Sequence, residues 1–142
     1  MKILITGAAG LVGSHLARRL AREHDVAALK HFDLDIADRD AVHRTVAEVR
    51  PKLMFNCAVL QVDESEQNQA KARSVNADGP GYLAEAASDV GAEIVQFSTQ
   101  YAFDGEPIHR APYTIEDKPR PVNVYGKTKV AGEQAVRDAC AR

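Results

Sequence analysis

Tyr125 and Lys129 lie four residues apart near the end of the chain, and Gly7, Gly10 and Gly13 recur at every third residue near its start. Residues four apart on a helix share a face, one turn from each other. A phenol titrates near about 10 and a neighbouring ammonium favours its ionised form, so such a pair can exchange a proton with an oxygen beside it. The string Thr6-Gly7-Ala8-Ala9-Gly10-Leu11-Val12-Gly13 suits a different task, holding a dinucleotide pyrophosphate. Glycines admit close approach of backbone amides, and the N-terminus of a following helix adds aligned N–H groups and a positive dipole end. In this order the two strings specify hydride transfer from a nicotinamide. In the direction of reduction Tyr125 is the general acid, and Lys129 tunes it and hydrogen-bonds the nicotinamide ribose. Ser98-Thr99 supplies a hydroxyl that could orient the substrate oxygen and share its developing charge.

The elements that must position these residues follow from periodicity. Residues 2–6 form a short buried strand that stops at glycine. Residues 11–23 read as a helix with Val12, Leu16 and Leu20 on one face. A second strand is predicted over 25–29, and a helix over 38–50 that ends before Pro51. A third, continuous apolar strand covers 52–59, and a polar, turn-like stretch covers 61–69. A helix over 70–89 is interrupted by Gly79-Pro80-Gly81, which should bend or split it. A fourth strand at 93–98, a proline-rich loop at 104–121 and a last helix at 122–141 complete the chain. Alternating strands and helices predict an α/β fold, a Rossmann-like doubly wound parallel sheet incomplete at its C-terminal side. The expected strand order is 3-2-1-4. Ligands should then meet the residues just after the strands: Gly7, Lys30, Cys57 and Thr99.

The end of the second strand bears on the choice of nicotinamide. An acid there would hold a ribose 2′-hydroxyl and favour NAD. The chain reads Leu29-Lys30-His31, with no acid until Asp33. Lys30 could pair with a 2′-phosphate, which favours NADP over NAD, or stand as a solvated surface lysine.

Composition sets broad limits. The 142 residues are 45% hydrophobic and 27% charged with a net charge of −2, ordinary for one globular domain. That charge gives no argument for nucleic acid or a membrane surface as partner. No apolar run approaches bilayer length, and Met1-Lys2-Ile3-Leu4-Ile5 breaks at once into Thr6-Gly7, unlike a signal peptide, so a cytoplasmic location is expected. Cys57 and Cys140 have neither a disulfide-framework count nor metal-ligand spacing and are expected to be reduced. Histidines 15, 24, 31, 43 and 109 lack metal spacing, most of them are expected to be solvated, and no metal site is expected.

With these residues in place, the chain resembles the extended short-chain dehydrogenase/reductases, and within them the dTDP-4-dehydrorhamnose reductase group. The resemblance runs over essentially the whole chain. Its landmarks are Ile3-Leu4-Ile5-Thr6-Gly7, Leu34-Asp35-Ile36, Asn56-Cys57-Ala58, Val75-Asn76-Ala77-Asp78-Gly79-Pro80, Phe97-Ser98-Thr99, Tyr101-Ala102-Phe103-Asp104-Gly105 and Pro121-Val122-Asn123-Val124-Tyr125-Gly126-Lys127. It implies reduction of the 4-keto group of a nucleotide-linked 6-deoxysugar by NAD(P)H. By the resemblance Thr99, Tyr125 and Lys129 match the catalytic threonine, tyrosine and lysine. Asp35 and Ile36 match the pair against adenine, Cys57, Ala58 and Val59 the cofactor-lining segment, and Asn76 an asparagine that supports the site. The implied partner is a nucleotide sugar, with a homodimer open.

The chain departs from the family pattern in places. Gln100 stands where an acid usually precedes Tyr101, which puts the identity of the sugar in doubt. His15 replaces an acid that some members use in a metal-bridged dimer, so no such metal is expected. The 59–66 segment is one residue short and lacks the usual aromatic near the substrate. Family members run to about twice this length, so residues 1–142 are expected to be the NAD(P)-binding domain of a longer reductase, inactive alone if the other half supplies the sugar site. Two other readings stay open: a non-catalytic dinucleotide-binding regulatory subunit, and a sugar-nucleotide epimerase or dehydratase on the same scaffold. The intact Thr99, Tyr125 and Lys129 set argues for catalysis.

Overall fold

A computed structural model describes residues 1–106 and 112–140 of the chain. His109 and Ala141, and the parts of the expected 104–121 loop and 122–141 helix that fall on residues 107–111 and 141, lie outside the described residues. Four parallel strands make one sheet: β1 (Lys2–Thr6), β2 (Asp25–Leu29), β3 (Leu53–Asn56) and β4 (Glu93–Gln96). Helices α1 (Leu11–Leu20) and α2 (Arg39–Val49) follow the first two strands. The short helices α3 (Val62–Gln67) and α4 (Gln69–Arg73) lead through a π-helical turn, Ser74–Asp78, into α5 (Gly79–Val90). A 3-10 turn at Gln100–Ala102 and α6 (Val124–Cys140) complete the order.

The strand order is β2-β1-β3-β4, which corrects the expected 3-2-1-4. The reason lies in residues 30–38. Leu34 and Ile36 are buried, and they join Val42 and Val46 of α2 and Leu83, Ala86 and Ala87 of α5 in one core cluster. That cluster also holds Leu4, Met54 and Ile94, which are register partners across β1, β3 and β4. The crossover from β2 is therefore drawn onto the sheet face that α5 also covers. A right-handed connection on that face must return past β1 and set β3 on its far side. The sheet consequently reverses direction between β1 and β3, and a crevice opens there at the carboxyl ends of both strands.

Local chemistry accounts for the element boundaries. Asp38 caps α2 by accepting the Ala41 amide at 3.0 Å, and Arg50 closes it at φ 49°, a left-handed stop with a non-glycine residue. The polar stretch expected to be turn-like is mostly helical. Asn68 divides it, its side chain capping α4 through the Lys71 amide at 3.0 Å. Such short helices carry too few turns to show an apolar period. The interruption expected at Gly79-Pro80-Gly81 falls one turn earlier, in the π-helical segment. Pro80 itself sits in the first turn of α5, where a missing N–H costs nothing. Ile3 and Ile5, alternating with Leu4, point to the opposite sheet face, where α1 packs on β1 and β2.

Candidate functional site

Three backbones converge at the β1–β3 crevice. Gly7 turns the chain at φ +66°, and a Cβ there would lie 2.5 Å from the Ala58 nitrogen. A Cβ on Gly13 would strike the Gly7 carbonyl. Only glycine lets the turn after β1, the start of α1 and the loop after β3 approach this closely. Gly10 is the N-cap of α1 and offers no side-chain bond, so the first-turn amides stay available to an anion. Beside this turn lies a hollow of about 310 Å³, reached by Gly7, Gly10, Asp35, Ile36, Cys57, Ala58 and Val59. The turn offers the free backbone amides, and the hollow beside it the room, that a dinucleotide would need.

A second hollow, about 190 Å³, shares Cys57, Ala58 and Val59 with the first. It is lined as well by Val12, Asn56, Phe97, Ser98, Tyr125 and Lys129. A hydrogen-bonded row crosses its floor. Thr6 Oγ1 donates to Asn56 Oδ1 at 2.6 Å, Asn56 Nδ2 to Gln96 Oε1 at 2.7 Å, and Gln96 Nε2 to the Phe97 carbonyl at 3.0 Å. Lys129 Nζ reaches the same carbonyl at 2.6 Å. The row follows the sheet register, Thr6 opposite Asn56 opposite Gln96, so strand pairing alone aligns it. It ties the phosphate turn to the lysine that the tyrosine needs.

Helix α6 is held over this floor by contacts that only small residues allow. A Cβ on Gly126 would strike the Tyr101 carbonyl, and one on Gly132 the Asn76 carbonyl. The Val124 amide, at the open end of the helix, donates to Glu66 Oε1 at 2.7 Å. Asn76, buried in the π-helical turn, works on both sides. It bonds the Leu60 amide at 2.8 Å and carbonyl at 3.0 Å, and its Nδ2 reaches Thr128 Oγ1 at 3.3 Å. Asn76 thus fixes the loop after β3 against α6 without lining either hollow. π-Helical turns are frequent where a fold must place such a side chain.

The remaining expected residues scatter around this centre. Thr99 lies three residues past β4 and, unlike Ser98, does not line the second hollow; its Oγ1 accepts the Tyr101 amide at 3.2 Å. The Tyr101 ring meets Tyr125 edge-on at 5.8 Å. Leu11 is exposed on the outer side of α1 with His15, whereas Val12 lines the inner hollow. Lys30 is exposed just after β2 and does not line the first hollow; its amide donates to Asp33 Oδ2 at 2.8 Å, and its neighbour His31 does line the hollow. His43 departs from the expected solvated role: it is half-buried, 3.2 Å from Asp89 and 3.7 Å from Glu85. Sequence reasoning assigned no role to Gln96 or Glu133, and counted Asn56 only as a family landmark. Thr6 closes its predicted strand, but the other two were expected to run on to residues 59 and 98, past Asn56 and Gln96, so nothing local singled out the row.

Electrostatics mark Lys129 as the costly residue. It is buried, and loss of water pushes its ammonium down from the ordinary lysine value, while Glu133 and Cys57 pull it back up. Burial likewise raises the Cys57 thiol, with Lys129 opposing. A base with a lowered folded-state pKa binds fewer protons folded than unfolded across the interval between the two values, so stability rises with pH there. Below that interval the buried charge is a standing cost. Lys129→Met removes that cost together with the bond to the Phe97 carbonyl, so the variant should lack this rise of stability with pH. Urea denaturation at pH 7 and pH 10 should show wild-type stability rising relative to that of the variant as the lysine deprotonates.

Sheet order, glycine turn and crevice together define a Rossmann-like α/β fold. Residues 1–142 match the RmlD substrate binding domain model, and the chain belongs to that family. It is similar to the dTDP-4-dehydrorhamnose reductase of Mycolicibacterium smegmatis, at 47% identity over 95% of this chain and 41% of that protein. Among solved structures it resembles a Clostridium acetobutylicum dTDP-4-dehydrorhamnose reductase, with a TM-score of 0.92 and 43% identity over 98% of this chain and 50% of the other. The Bacillus anthracis dTDP-4-dehydrorhamnose reductase, solved in complex with NADP, superposes with a TM-score of 0.91 at 36% identity, over 97% of this chain and 49% of that one. The chain thus spans about half the length of the relatives it matches.

Proposed function

We propose that residues 1–142 are the cofactor-binding half of an NADPH-dependent reductase that acts in the cytoplasm on the 4-keto group of a dTDP-linked 6-deoxysugar. The observation that carries this reading is the join between the two hollows. A dinucleotide whose diphosphate rests on the Gly7–Gly13 turn can extend past Cys57, Ala58 and Val59 to Tyr125 and Lys129. The names of the relatives supply the substrate class. Among the described residues no helix is long and apolar enough to cross a membrane.

The cofactor, when bound, supplies the hydride that reaches the carbonyl carbon. Tyr125 gives its phenolic proton to the carbonyl oxygen, which becomes the alcohol. The Lys129 ammonium, one helical turn away, stabilises the phenolate left behind and can hydrogen-bond the ribose. The Thr99 hydroxyl after β4 orients the substrate oxygen. Val12, Val59 and Phe97 give that end of the site apolar walls. The test is NADPH oxidation with a dTDP-4-keto-6-deoxyhexose by the enzyme that contains this chain. Cofactor binding without turnover would contradict the reading.

The preference for NADPH rests on the basic pair at the end of β2. Lys30 is exposed just after β2 next to His31, which lines the first hollow, and the nearby acid Asp33 is engaged by the Lys30 amide. Lys30→Ala is expected to weaken NADPH binding about tenfold and leave NADH binding within about twofold, as loss of one charge-assisted contact would. Dissociation constants from fluorescence titration of both cofactors check this, and an equal loss for both would contradict it.

A further inference from the structure

One carboxylate beside the reacting pair has no part in the steps above. Glu133 lies one turn after Lys129 on α6, and its two oxygens are divided between different partners. Ser98 Oγ donates to Oε1, and the Arg137 guanidinium approaches Oε2 at 2.9 Å. Ser98 sits between Phe97, whose carbonyl accepts Lys129 Nζ, and Thr99. The Ser98–Glu133 bond therefore pins the segment after β4, which carries Thr99 and the Lys129 acceptor, to the helix that carries Tyr125 and Lys129. The backbone there needs such a tie, because β4 stops at Gln96 and the pairing with β3 ends with it.

The charge has a second use. Lys129 is buried, and the groups facing it are Tyr125 on its own helix, Cys57 after β3, the Phe97 carbonyl after β4, and Glu133. Of these, among the described residues, Glu133 is the one carboxylate. A buried ammonium without a counter-charge would lose its proton more readily, and a neutral amine could not stabilise a tyrosine phenolate.

We propose that Glu133 is a positioning residue for the proton-transfer pair, locking the segment after β4 against α6 through Ser98 and standing as the carboxylate one helical turn from Lys129. This rests on the reductase reading for its chemistry, but not for its test. Glu133→Gln keeps an oxygen for Ser98 and removes the charge. In the 142-residue chain, NMR titration of the Lys129 Cε signal should move to a lower midpoint in Glu133→Gln than in wild type. Arg137→Gln, which strips the competing cation from the same carboxylate, should move it to a higher one and serves if the first variant does not fold. In the enzyme that contains this chain, Glu133→Gln should lower kcat on the order of tenfold at alkaline pH, with the limb of the pH profile shifted downward and the NADPH dissociation constant nearly unchanged. Glu133→Asp should restore part of that limb. An unmoved Lys129 midpoint in both Glu133→Gln and Arg137→Gln overturns the proposal. A moved midpoint in a protein that turns over no sugar would leave this role standing and remove the reductase reading instead.

Discussion

Tyr125→Phe is expected to lower kcat by about 10²- to 10⁴-fold, the range for losing a positioned general acid, while leaving NADPH affinity within about twofold. The substitution removes one oxygen and keeps the ring. The edge-on contact with Tyr101 and the packing of α6 should therefore survive. Among the described residues, none of the hydrogen bonds that hold α6 in place uses the phenolic oxygen: they run from Val124 to Glu66, from Gly126 to Asn123, from Asn76 to Thr128, from Lys129 to Phe97 and from Ser98 to Glu133. A fall in kcat with cofactor binding intact is the signature of an interaction made in the transition state. Steady-state kinetics beside a cofactor titration separate this from a general loss of structure, which would weaken both together.

Gly7→Ala is expected to carry the second large effect, on stability and on cofactor binding at once. Two penalties coincide at this position. The backbone is left-handed at φ +66°, and an added Cβ would press on the Ala58 nitrogen and the Cys57 carbonyl group. Those atoms are backbone of the loop after β3 and cannot rotate away. Strain and overpacking together should destabilise the chain by about 3 kcal/mol. The displaced loop also lines both hollows, so NADPH binding should fall by more than about 100-fold, equivalent to roughly 3 kcal/mol. Gly91→Ala is the internal comparison. It has the same φ of +66°, but a Cβ there meets nothing within 4 Å. It should cost about 1 kcal/mol from backbone strain alone and leave NADPH binding unchanged. Urea midpoints of the two variants, measured with and without cofactor, test the difference.

The fold was legible where one residue type answers one physical demand. Glycines at 7, 10 and 13 after a β-branched strand predicted the turn, and Asp38 before Val42 and Val46 predicted the start of α2. Strand order was less legible, because it depends on which face receives the second crossover. That was decided by Leu34 and Ile36, two apolar residues in a stretch that otherwise reads as a polar loop. The short helices around Asn68 carried no period to detect. The strand ends were also overestimated: residues 57–59 and 97–98 are apolar or small enough to continue a strand, but they leave the sheet to line the site.

For the site, the residues that do chemistry by type were readable and those that support them were not. Tyr125 and Lys129 signalled themselves through helical spacing and Asn76 through family resemblance. The row from Thr6 through Asn56 to Gln96 needs the register of three strands, and Glu133 needs the height of α6 relative to β4. Neither quantity is local. The loop after β3 gains its meaning in the same way, since Cys57, Ala58 and Val59 are ordinary residues until the sheet reverses beside them.

The central claim is that one groove, running from the glycine turn to Tyr125, delivers a hydride to a sugar ketone. Its most direct test uses NADPH carrying deuterium at the transferred C4 position, incubated with a dTDP-4-keto-6-deoxyhexose and the enzyme that contains this chain. Mass spectrometry of the reduced sugar should find the deuterium at carbon 4, and Tyr125→Phe should slow its appearance by about 10²- to 10⁴-fold. Recovery of unlabelled ketone beside intact, tightly bound NADPH would contradict the account and leave a dinucleotide-binding module in its place.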